Sequence, residues 1–69
     1  MKYPIGTKFK TSVKSTAIHT IVDFFKTYNL AGELIYEKYI TVHTLLGHPI
    51  TQHIQESTID VSVILEGGN

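Results

Sequence analysis

The chain has no cysteine, no tryptophan, one methionine and two prolines in 69 residues. Without cysteine, neither a disulfide nor thiolate-ligated zinc can staple so short a chain. The same absence removes the commonest strong nucleophile and agrees with a reducing compartment. There is no charge excess, since six basic residues balance six acidic ones. A protein that grips nucleic acid mainly through phosphates usually carries a net positive charge. No apolar run approaches the roughly 18 residues of a membrane span, and no apolar stretch of a signal peptide follows Met1-Lys2-Tyr3-Pro4. The expected location is the cytoplasm, with no membrane partner. Internal repeats and low-complexity tracts are missing too. The length predicts a single domain over residues 1–69. A chain near this size buries only about 60% of its unfolded surface. A closed barrel or oligomerisation is what remains to stabilise it.

What the chain does contain is β-forming sequence. Five strands are predicted, at about residues 7–11, 18–29, 33–45, 50–55 and 58–65, with a flexible tail at 66–69. The first, "TKFKT", alternates Lys8 and Lys10 with Phe9. Residues 12–17, "SVKSTA", have loop composition. The two long middle segments are rich in Ile, Val, Phe, Tyr and Thr. They flank Asn29-Leu30-Ala31-Gly32, which reads as a type I turn with glycine at the left-handed position. A second turn is predicted at Leu46-Gly47-His48-Pro49. In the last segment Ile59, Val61 and Val63 share a face, so it reads as a closing strand or an edge that pairs with a second copy.

This profile is short strand, two long strands, short strand, a break at Glu56-Ser57, and a final strand. It resembles the small SH3-like and Tudor-like barrels, which place one helical turn before their last strand. The implied fold is all-β: a five-stranded SH3-like barrel made by a strongly bent antiparallel meander. An OB barrel fits less well, because no helix-like segment separates the third and fourth strands. The segments "YPIGTKF", "IVDFFKTYNLAGELIYEKYI", "GHPIT" and "STI" also resemble short uncharacterised proteins of phage and mobile-element genomes. That resemblance implies a class of origin, with a host-cell cytoplasmic location, and carries no site residues.

The first turn sets an expected register in which Asn29 faces Glu33. Tyr28 then meets Leu34, Phe24 meets Lys38, Val22 meets Ile40 and Thr20 meets Val42 on an even-numbered face assigned to the core. The odd-numbered face is assigned to solvent or a partner. It carries Phe25, Tyr39, Ile35, Glu37, Asp23 and His43, where aromatic anchors with a polar rim suit a protein hot spot. A one-residue slip would invert these assignments. Phe25 and Tyr39 have two readings: a ligand platform, or packing under residues 12–17 or within a dimer.

If Ile40 pairs with Ile54, His19, His43 and His53 fall together, a set able to hold zinc or nickel. Their spacing matches no metal motif, and surface histidines are the favoured reading, so no metal or cofactor is expected. Lys8, Lys10, Lys14 and Lys26 form an alternative phosphate-contacting strip. Catalysis is not expected: the serines lack a nucleophile-elbow pattern, Gly6-Thr7-Lys8 lacks the first glycine of a phosphate loop, and Asp23 with Glu37 lies on an open sheet face. The expected function is a non-enzymatic binding module, an accessory or inhibitory protein of phage type that attaches to a host protein. The alternatives are a nucleic-acid-binding barrel and a homo-oligomeric protein that sequesters a small ligand.

Overall fold

A computed structural model describes residues 2–67. The chain forms β1 (Lys8–Lys10), β2 (His19–Tyr28), β3 (Leu34–Leu45), β4 (His48–Ile54), the short helix α1 (Glu56–Asp60) and β5 (Val63–Glu66). All five strands join one antiparallel sheet in the order β4-β3-β2-β1-β5. Strands β4 and β5 are its edges, so no ladder closes the sheet into the expected barrel.

Local chemistry accounts for the turns. The β2–β3 turn forms as its residues predict: the Gly32 N–H donates to the Asn29 carbonyl at 3.0 Å, and Gly32 has φ of +82°. The Asn29 side-chain oxygen accepts from Ala31 and Glu33 N–H, both at 2.9 Å. The β3–β4 turn is tighter than expected. Leu46 and Gly47 both have positive φ, as a two-residue type I′ turn requires. His48 and Pro49 therefore lie in β4, opposite Leu45 and Thr44. Pro49 is tolerated there because β4 is an edge strand.

The final predicted strand, 58–65, is corrected in its first half. Thr58, Ile59 and Asp60 belong to α1, and only Val63–Glu66 is strand. One helical turn carries Ile59 to complete burial among Phe9, Ile21 and Tyr39. An extended chain leaving β4 would have no such reach. Of the expected tail, Glu66 is strand, and residues 68–69 lie outside the described residues.

The register of β2 against β3 is also corrected. Tyr28↔Leu34, Ile21↔Thr41 and Thr20↔Val42 pair as expected. Between them the pairing runs one residue out: Phe24 faces Tyr39, Phe25 faces Lys38 and Lys26 faces Glu37. Two irregularities cause this, one between Ile21 and Asp23 and one between Thr27 and Tyr28. A bulge inserts one residue into a strand and reverses its inward–outward parity. His19 and Ile21 therefore point inward on one side of the bulge, and Phe24 on the other. On β3 the odd residues Tyr39 and Thr41 are the fully buried ones. The assignment of even residues to the core holds for Phe24 and Ile40 and fails elsewhere: Val22 is exposed, while Ile21 and Tyr39 are sealed.

The core is small: Phe9, Ile21, Tyr39 and Ile59, with Tyr3, Phe24 and Ile54 packed against it. It lies at one end of the molecule. Residues 24–28 of β2 and 34–38 of β3 pair only with each other among the described residues. They form a two-stranded ribbon that projects from the core. A compact chain of this length has a radius of gyration of about 11 Å. The observed value is 13.0 Å, with extents of 43 × 22 × 21 Å.

Candidate functional site

Two polar clusters lie near the core, and one groove lies on the ribbon. The first cluster surrounds Tyr39. Its ring is buried against Phe24 and Tyr3. Its hydroxyl accepts from the Lys2 and Tyr3 backbone N–H groups at 3.1 and 3.2 Å and donates to Glu56 Oε2 at 2.8 Å. Burial first, and then the Glu56 carboxylate, hold the Tyr39 hydroxyl above its ordinary pKa. Nearby, Asp60 accepts from Lys2 Nζ at 2.8 Å and from the Tyr3 hydroxyl at 2.6 Å. The hydrogen bond from Lys2, and then that from Tyr3, lowers the Asp60 pKa. These bonds tie the N-terminal segment and α1 to β3. They occupy Tyr39 structurally and remove it from any solvent-facing surface.

The second cluster is a stack of rings on the inner face. Phe9 lies 5.2 Å from His19, and His19 lies 4.4 Å from His43. Nδ1 of both histidines and Oγ1 of Thr41 are buried without a hydrogen-bond partner. Burial, and then the neighbouring His43, pushes the His19 pKa down. His53 does not join them. It faces Ile40 across β3 and β4, on the opposite side of the sheet from His43. The expected pairing of Ile40 with Ile54 fails because the two-residue turn brings Ile54 opposite Tyr39. The three imidazoles are thus divided between two faces. No group of three or more His, Cys, Asp or Glu residues able to hold a metal occurs among the described residues.

The groove lies on the outer face of the ribbon. Phe25, Lys26, Thr27, Tyr36, Lys38 and His53 line about 290 Å³ of open space. Register explains the gathering: Phe25 faces Lys38 and Thr27 faces Tyr36, while His53 comes from the end of β4. Lys38 Nζ lies 5.6 Å from the Tyr36 ring centre. Phe25, Tyr28, Leu34, Ile35 and Tyr36 are all roughly half exposed, and Leu30 at the ribbon tip is fully so.

The residues expected on one odd-numbered face are therefore dispersed. Phe25 and Ile35 are exposed on the ribbon. Tyr39 is buried, His43 lies in the inner ring stack, and Glu37 pairs with Lys26 on the inner side. Asp23 sits in the bulge, where its carboxylate accepts from Phe24 N–H at 2.8 Å. The lysine strip is dispersed as well. Lys8 and Lys10 flank buried Phe9 on the outer face, Lys14 is in the loop after β1, and Lys26 lies over Phe24, 5.8 Å from its ring centre. Tyr36 and Lys38 are what the sequence reasoning missed, and His53, named there only beside His19 and His43, lines the groove instead. The signal was Asp23 inside "IVDFF", a poor strand former amid strong ones, which marks a bulge.

No protein-family model, curated protein or solved structure matches the chain.

Proposed function

We propose that the protein is a non-enzymatic binding module of accessory or inhibitory kind, built on an open SH3-like sheet, and that its projecting ribbon docks on a protein partner. The strand order, with β5 beside β1 and one helical turn before β5, supports the SH3-like reading. One observation carries the binding reading: beyond Phe24, which packs on the core, the ribbon has no neighbouring strand at either edge among the described residues while displaying aromatic and aliphatic side chains. An isolated two-stranded hairpin is marginal in water, and open edges invite pairing with another chain. The protein nevertheless concentrates Phe25, Tyr28, Leu34, Ile35 and Tyr36 there. Aromatic side chains in such a place are typical interface anchors.

The test is affinity capture from host lysate with the intact chain and with a Phe25→Ala, Tyr36→Ala double variant. Both side chains lie outside the core, so the variant keeps its fold, which circular dichroism verifies. The captured protein is expected to disappear with the double variant. Undiminished capture would remove the ribbon as the docking element. Sedimentation of the purified chain distinguishes a foreign partner from a second copy: a monomer supports the proposal, and a stable dimer burying the ribbon overturns it.

A further inference from the structure

Resting on that reading of the ribbon, we infer that the groove takes an extended peptide segment of the partner carrying acidic residues at alternate positions, added as a strand to the exposed edge of β3. The edge comes from topology. Strand β4 covers β3 from Leu45 back to Tyr39 and stops at Ile54, where the chain turns into α1. The backbone groups of residues 36–38 on that side have no neighbouring strand among the described residues, and the irregularity at Ile35 ends this regular stretch of edge. A guest strand there continues the position of β4. Its side chains alternate between the two faces.

The charge preference comes from what faces the guest. Outward-pointing guest side chains fall beside Tyr36 and Lys38 and next to His53, in a groove whose lining contains no carboxylate. The only ion pair among the described residues is Lys2 with Asp60, so Lys38 makes no ion pair and lies over the Tyr36 ring, whereas Lys26 stands opposite Glu37 on the inner side. Of the nearby acids, Asp23 and Glu33 each accept a local hydrogen bond, from Phe24 N–H and from the Asn29 side-chain amide at 3.3 Å, and Glu37 faces inward. There Glu37 disfavours acid in the other half of the guest's alternation. The pattern selects acidic residues spaced by two with apolar ones between. Strand addition at an open edge favours a peptide over nucleic acid, which offers no strand to complete the ladder.

The experiment uses the full chain and three fluorescent peptides of about seven residues. One alternates glutamate with valine, one has glutamine for each glutamate, and one has lysine. A short oligothymidylate is the fourth probe. Anisotropy titrations are expected to rank the acidic peptide about fivefold tighter than its glutamine twin. The advantage shrinks as salt rises. Lys38→Glu is expected to reverse the preference toward the lysine peptide. Equal binding of acidic and glutamine peptides overturns the charge inference while leaving edge docking intact. Tighter binding of oligothymidylate than of any peptide overturns the peptide occupant. If no peptide binds while capture still depends on Phe25 and Tyr36, the occupant is wrong and the ribbon reading survives. If capture is also independent of them, both fall. The salt titration on the unaltered protein keeps the test decisive should Lys38→Glu fail to fold.

Discussion

Leu46 occupies a backbone state that its side chain disfavours. It has φ of +51° and is 91% exposed, so nothing in the fold compensates. Left-handed backbone costs about 1–2 kcal/mol for a residue with a Cβ, and asparagine before glycine is the preferred pair for this turn. Leu46→Asn is expected to raise the unfolding free energy by about 0.5–1 kcal/mol, read from urea midpoints. A lower midpoint would show that the exposed leucine makes a stabilising contact. At the same scale, Asn29 and Gly32 were legible because a turn's demands are local: one needs a side-chain acceptor, the other a positive φ. Tyr39 was not. Its sequence neighbours do not distinguish a ligand platform from a core ring, and its bonds reach Lys2, Tyr3 and Glu56 across the fold.

Among the elements, α1 rests chiefly on a single core contact. It is five residues long and lacks a side-chain cap, so packing holds it, chiefly through Ile59. Ile59→Ala is expected to cost about 2–5 kcal/mol, a large share of the stability of so small a domain. Urea unfolding followed by circular dichroism measures it, and a loss below about 1 kcal/mol would mean that the helix is not seated as described. The segment "TIDVSVIL" alternates like a strand along its whole length. Its first half is helical because the core needs Ile59 at a depth that only a turn after β4 can supply. The ribbon shows the converse. The existence of β2 and β3 was readable from composition, but their register was not, since each bulge shifts parity by one and composition does not position bulges.

For the molecule as a whole, the Phe9–His19–His43 stack joins β1 to β2 and β3, and β5 attaches through β1. No carboxylate contributes to the shift at His19; its causes are burial and His43. The folded-state pKa of His19 lies below its ordinary value of 6.5, so the unfolded chain takes up the proton first. Stability is therefore full above that value and falls as the pH drops from it toward the depressed folded one. The thermal midpoint is expected to be lower at about pH 5.5 than at about pH 7.5, and His19→Phe is expected to reduce the difference. A midpoint unchanged between the two conditions would show that the imidazole protonates without cost in the folded state. The same architecture explains the elongated shape, with a small core at one end and a projecting two-stranded ribbon at the other.

Composition and turn chemistry by themselves determined that the chain is mostly β, that it has five strands, and where the first hairpin bends, because these depend on side chains and their immediate neighbours. Only the tertiary structure decided which face is buried, that the histidines separate, that the sheet stays open, and that Phe25, Tyr36, Lys38 and His53 gather at one groove. Those outcomes turn on bulges and on a two-residue turn. Each is a one-residue event whose energy is settled by distant packing, and each redirects every side chain beyond it.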